Sequence, residues 1–160
     1  LWKPELSGDI DIVIRANGDW YHEGHLIERH TLVKLFSSIL RREADGHYYL
    51  VTPIEKWRLK VEDAPLLIVD FDVSYAATSK QVIIFTSNMG RLYPLGSEYP
   101  LNVDIGDSSH TPAPYLGLDY GLRGKLTRAV FYRLVDFAEF DGQILRVLSN
   151  QQYFELGSIE

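Results

Sequence analysis

Residues 66–87 read Leu66-Leu67-Ile68-Val69-Asp70-Phe71-Asp72-Val73-Ser74-Tyr75-Ala76-Ala77-Thr78-Ser79-Lys80-Gln81-Val82-Ile83-Ile84-Phe85-Thr86-Ser87. Two apolar, β-branched runs, residues 66–73 and 81–87, flank a short polar stretch, and both have the composition of strands. How they are joined decides the fold. Parallel neighbours need a crossover of a dozen or more residues, usually a helix. The polar stretch is long enough only for a hairpin, so the two strands run antiparallel. Asp70 and Asp72 then share one strand face, the solvated one, because side chains alternate with period two.

Upstream of this hairpin the chain opens with a second one. Ile10, Ile12 and Ile14 alternate with Asp11, Val13 and Arg15, Asn17-Gly18 supplies a turn, and Trp20-Tyr21 resumes the extended pattern. A helix follows, opened at His30 or Thr31, with Leu32, Val33, Phe36, Ile39 and Leu40 at helical spacing to about Arg42. Residues 48–51 and 54–61 read as strands around Pro53. Downstream, residues 91–95 and 99–105 read as strands, and residues 106–118, with Pro112 and Pro114, as a long surface loop. The spacing of Leu126, Val130, Leu134 and Phe137 predicts a second helix over about 123–138. Residues 143–148 and 152–156 close the chain as a hairpin.

The segregation of strands and helices gives an α+β protein with mostly antiparallel sheets and one main helix in each half. Residues 26–40 and 122–134 share a local pattern: a glycine just upstream, a threonine near the helix start and an aromatic in mid-helix. That pattern predicts an internal duplication, with subdomains at 1–65 and 66–160.

Composition narrows the function. The 160 residues are 46% hydrophobic and 24% charged, the balance of a soluble globular protein. A chain of this length buries roughly two-thirds of its unfolded surface and needs no covalent staples. The net charge of −6 disfavours polymeric nucleic acid and anionic membrane as partners. The absence of cysteine excludes disulfides, thiolate catalysis and cysteine-ligated metals. No apolar run approaches a membrane span and no basic-then-apolar leader opens the sequence, so the expected compartment is the cytoplasm.

The motifs that carry chemistry are incomplete. The stretch from Leu67 to Ser74 is similar to the nucleophile strand of the haloacid-dehalogenase phosphatases, and Ile83-Ile84-Phe85-Thr86 resembles their phosphate-binding strand. Such a pair would use one aspartate as nucleophile with a metal neutralising the phosphate oxygens. The hairpin connection defeats the resemblance, because those strands must be parallel, and Ser74 stands where threonine or valine is usual. His22-Glu23-Gly24-His25 has its histidines three apart rather than four, with a glycine between them, which is wrong for a helical zinc motif. No catalytic residue, metal site or cofactor is assigned.

The better-motivated constellation is cationic. Lys34, Ser38 and Arg41 follow i, i+4, i+7 spacing in the first predicted helix, and Lys125, Arg128 and Tyr132 follow i, i+3, i+7 in the second. Convergent cations and hydroxyls suit a phosphate-bearing molecule, with arginine able to grip it bidentately. The expected ligand-binding set is Lys34, Arg41, Lys56, Arg123, Arg128 and Tyr132, with Trp20 and Trp57 as stacking surfaces for a base. Against this stands the plain reading of solvated helix faces and core aromatics.

Five blocks carry a family resemblance: Asn17-Gly18-Asp19-Trp20-Tyr21-His22-Glu23-Gly24, Leu32-Val33-Lys34-Leu35-Phe36-Ser37-Ser38-Ile39-Leu40-Arg41-Arg42, Tyr49-Leu50-Val51-Thr52-Pro53-Ile54-Glu55-Lys56, Val61-Glu62-Asp63-Ala64-Pro65 and Ala129-Val130-Phe131-Tyr132. Together they resemble the uncharacterised bacterial domain-of-unknown-function family DUF1285. The resemblance implies two related subdomains, the second superficially like a pleckstrin-homology fold. It also implies a ligand site at their interface, suited to a nucleotide-like molecule in signalling, and brings no established activity. The leading expectation is therefore a non-enzymatic sensor of a small, phosphate-bearing ligand. A protein-interaction module is the second reading, and a weak metal-dependent hydrolase using Asp70 and Asp72 the third.

Overall fold

The computed structural model describes residues 2–105 and 112–158. Its strands are β1 (Gly8–Ile14), β2 (Trp20–His22), β3 (His25–Leu26), β4 (Leu40–Arg42), β5 (Tyr48–Val51), β6 (Lys56–Val61), β7 (Leu66–Ser74), β8 (Val82–Ser87), β9 (Leu92–Pro94), β10 (Leu101–Ile105), β11 (Pro112–Gly117), β12 (Arg123–Leu126), β13 (Glu139–Asp141), β14 (Ile144–Ser149) and β15 (Gln152–Ser158). The helices are α1 (His30–Ser38) and α2 (Arg128–Phe137). Two compact units result: Leu1–Pro65 with Tyr120–Leu122, and Leu66–Asp119 with Arg123–Glu160.

The first unit is one six-stranded sheet in the order β3-β2-β1-β6-β5-β4, with α1 between β3 and β4 in the chain. All its pairings are antiparallel except β1 with β6, which run parallel in the middle. Ile12, Ile14, Trp20, Leu40, Val51 and Leu59 are buried in it. The β1–β2 turn puts only Gly18 at positive φ and ties Asp19 N–H to the Asn17 side chain at 3.0 Å. The hairpin forms as the sequence predicts, through a looser turn.

Helix α1 stops four residues earlier than its apolar spacing predicts. Ser37 and Ser38 donate their hydroxyls back to the carbonyls of Lys34 and Leu35, at 2.8 and 2.5 Å. Serine competes in this way with the helical ladder. Beyond Ile39, residues 40–42 join the sheet opposite β5. Arg41 thus belongs to a strand, and the Lys34–Ser38–Arg41 helix face does not exist.

In the second unit β7 and β8 form the antiparallel hairpin expected from residues 66–87, with Phe71 opposite Phe85. The sheet order is β10-β11-β12-β7-β8-β9, again with one parallel pair, β12 with β7. A separate sheet, β13-β14-β15, completes the unit, and β10 lies beside β15. Buried Ser149 knits the layers: its hydroxyl donates to Leu95 O at 2.6 Å and accepts from Ile83 N–H at 2.9 Å. Ile68, Ile83, Phe85, Leu116, Val130 and Leu134 lie at the centre of the core.

Two sequence expectations fail here. Residues 123–126, assigned to the second helix, form β12, because Leu122, Gly124 and Leu126 alternate inward with period two. The helix starts after Thr127, whose side chain accepts from Val130 N–H, so Lys125 lies on a strand apart from Arg128 and Tyr132. Residues 112–117, assigned to a loop, form β11. Pro114 is tolerated because the register with β12 begins at Tyr115, leaving the proline where β11 faces β10. The rest of that expected loop, residues 106–111, lies outside the described residues.

The duplication is visible as topology. The run β1-β2-β3-α1-β4-β5-β6 is repeated by β10-β11-β12-α2-β13-β14-β15. Each places its first strand beside its last, its helix after the third strand, and two antiparallel meanders to either side. The hairpin β7–β8 with β9 is then an addition, joined to the second repeat along β12. The protein is α+β with two similar subdomains.

Candidate functional site

The first unit gathers cations along β4 and β6. Arg41 lies opposite Tyr49 in the β4–β5 register, and Lys56 lies opposite Val51 in the β5–β6 register. Strand alternation aims both toward the same face. Arg41 Nη1 donates to the Trp2 carbonyl at 3.1 Å and stands 3.6 Å from Glu43 Oε2. Lys56 Nζ donates to the other oxygen of Glu43 and sits 4.4 Å from the centre of the Tyr49 ring. Tyr49 in turn donates to Asp45 at 2.5 Å. That hydrogen bond, reinforced by burial, raises the Tyr49 phenol above its ordinary range; the same bond holds the Asp45 carboxyl below its own.

This network borders two adjoining recesses, of about 360 and 490 Å³. Ser38, Ile39, Leu40 and Val51 line the smaller; Lys3, Arg42, Glu43 and Lys56 line the larger. Trp2, Arg41 and Tyr120 are common to both. Trp2 is 46% exposed and Tyr120 59% exposed, unusual for large aromatics that are not filling a core. Tyr120 adopts φ 57° and Gly121 φ 72°, two consecutive left-handed residues. A Cβ added to Gly121 would lie 2.6 Å from the Arg42 carbonyl oxygen, so only glycine lets this turn approach β4 so closely. The turn at Asp119–Gly121 holds Tyr120 at the recess. Chemically, the site offers two mostly covered cations and two available aromatic faces.

The other residues singled out by sequence fall elsewhere. Lys34 is exposed on α1. Trp20 is 1% exposed and stacks on Phe36 at 6.2 Å, so it serves the core and presents no face to a base. Trp57 is half-buried, its indole N–H donating to Glu55 at 3.3 Å and its ring packed against Gly8. In the second unit the Arg123 guanidinium covers the Tyr115 ring at 3.9 Å, while Arg128 and Tyr132 are exposed one helical turn apart on α2. The structure therefore brings together Arg41 and Lys56 from that set, through Glu43. Sequence reading missed Trp2, Glu43 and Tyr120, which reach the recess from three separate parts of the chain. An exposed aromatic before a glycine at Tyr120-Gly121 was the one local signal.

The hydrolase motif resolves differently. Asp70 and Asp72 are both exposed on β7. Arg133 donates to Asp70 at 2.7 Å, and this bond, with another from Phe71 N–H, lowers its carboxyl below the ordinary range. Among the described residues no group of three or more histidines and carboxylates is placed to hold a metal ion. No helix among them is long and apolar enough to cross a membrane.

Comparison with known proteins agrees with this architecture. Residues 1–64 match the family described as "Domain of unknown function (DUF1285), N-terminal domain", and residues 65–156 match "Protein of unknown function (DUF1285), C-terminal domain". A DUF1285 family protein from Silicibacter pomeroyi DSS-3, known from its crystal structure, is 37% identical, with a TM-score of 0.91 over 99% of this chain and 85% of that one. Another, from Shewanella baltica OS155, is 36% identical, with a TM-score of 0.60 over 81% of this chain and 92% of that one. No curated protein matches the chain. With both family domains matched in order along nearly its whole length, the chain belongs to the DUF1285 family.

Proposed function

We propose that the protein is a non-enzymatic, cytoplasmic sensor that binds a small nucleotide-like molecule in the recess of its first unit, in a signalling role. The observation that carries this reading is the convergence of Arg41 and Lys56 on a recess that Trp2 and Tyr120 also line. The two cations suit a phosphate, and charge-assisted contacts of this kind are the strong ones. The exposed rings suit a base, since stacking on aromatics is sequence-tolerant and favourable. Binding rather than catalysis is supported by Asp70, which is engaged by Arg133, and by the antiparallel β7–β8 pair, which lacks the phosphatase geometry.

Titration calorimetry with adenosine monophosphate tests the reading. The wild-type protein binds, Arg41→Ala weakens binding about tenfold or more through loss of a charged hydrogen bond, and Trp2→Ala weakens it further. Equal affinity in wild type and Arg41→Ala refutes the site. Silence of the wild type toward every nucleotide moves the assignment to a protein-interaction module.

A further inference from the structure

Arg41 and Lys56, the two mostly covered cations of the recess, are not vacant. Glu43 bridges them, one carboxylate oxygen on Lys56 and the other 3.6 Å from Arg41. All three side chains are largely covered, at 17%, 20% and 26% exposure for Arg41, Lys56 and Glu43. Electrostatics between such groups is screened less than at an open surface. Arg41 and Lys56 with this one carboxylate keep one net positive charge, and Lys3 and Arg42 line the same recess. An incoming anion must either share the cations with Glu43 or take its place.

We propose that Glu43 is the resident anion of the recess, and that the ligand carries a dianionic terminal phosphate that displaces it from Arg41 and Lys56. This deepens the ligand-binding reading above and rests on it. A singly charged anion, such as a phosphodiester, exchanges one negative charge for another and gains nothing electrostatically. A phosphomonoester is doubly charged above its second pKa of about 6 and brings three acceptor oxygens to the same two donors. Glu43 therefore sets a threshold: an anion binds well only where it holds the two cations more strongly than the carboxylate does.

The test compares adenosine monophosphate with cyclic adenosine monophosphate at pH 8 by calorimetry, on wild type and Glu43→Gln. The wild type prefers the monophosphate by about tenfold or more, since its second negative charge meets the same two cations. In Glu43→Gln both nucleotides gain affinity, because neither has a carboxylate to displace, and the monophosphate stays preferred through its second charge. Glu43→Asp, which keeps the charge but shortens the reach, gives a smaller gain in the same direction and provides a second variant should Glu43→Gln unfold. A wild type that binds both nucleotides equally, or a Glu43→Gln protein that gains affinity for neither, overturns this inference and leaves the binding site standing. Failure of both proteins to bind either nucleotide at millimolar concentration overturns the binding reading and this inference with it.

Discussion

Gly121 shows how a single position can hold a site together. Its φ of 72° lies in the left-handed region, and the Arg42 carbonyl fills the space a side chain would need. Gly121→Ala combines backbone strain with a steric clash, costing about 1–3 kcal/mol. It also shifts Tyr120 away from the recess. Chemical denaturation reads the first effect, and ligand affinity the second; a variant as stable as wild type contradicts the assigned geometry. Tyr99 makes a second residue-scale prediction. Burial and a hydrogen bond to Asp119 push its phenol from 10.0 up to about 12. Its contribution to stability is complete below pH 10 and is lost as pH rises through about 12. Unfolding midpoints measured from pH 9 upward therefore fall in the wild type, and fall less steeply in Tyr99→Phe. At this scale the sequence was only partly legible. Arg41 stands out through helical spacing with Lys34 and Ser38, yet it reaches the recess from β4. Glu43 has no local signal, because its meaning depends on Lys56 across the sheet.

The two helices differ at their starts. Thr127 caps α2 through its side chain, whereas Arg29 occupies the same position of α1 with no side-chain bond. Thr127→Ala costs about 1 kcal/mol, and Arg29→Asp adds about as much by capping the exposed amides and complementing the helix dipole. Thermal unfolding of the two variants shifts in opposite directions; a destabilised Arg29→Asp contradicts the assigned start of α1. The apolar rhythm of both helices is plain in the sequence, but their ends are not. Ser37 and Ser38 stop α1 by a hydrogen-bond competition that hydrophobic spacing does not register. Residues 123–126 keep the apolar content of α2 while obeying a strand's period, and β11 carries prolines that signal a loop in isolation. Their acceptance depends on which neighbour each faces.

At the scale of the molecule, the organising fact is the repeat of a strand–strand–strand–helix–strand–strand–strand run. The shared pattern of residues 26–40 and 122–134 marks it correctly, since both segments span the passage from the third strand into the helix. What the sequence conceals is that β7, β8 and β9 stand outside the repeat, because their apolar runs are as strand-like as any within it. The two repeats also diverge in charge. In the first, the fourth strand carries Arg41 and Arg42; in the second, it is Glu139-Phe140-Asp141. The cationic recess therefore belongs to the first unit alone in the proposed function. The most direct measurement is a thermal-shift panel of nucleotides and sugar phosphates on wild type and Arg41→Ala side by side. A ligand at a hundred times its dissociation constant adds about 2.7 kcal/mol, a visible shift. Phosphomonoester nucleotides are expected to stabilise the wild type and to leave Arg41→Ala unmoved; no shift for any of them, or equal shifts in both proteins, contradicts binding at this recess.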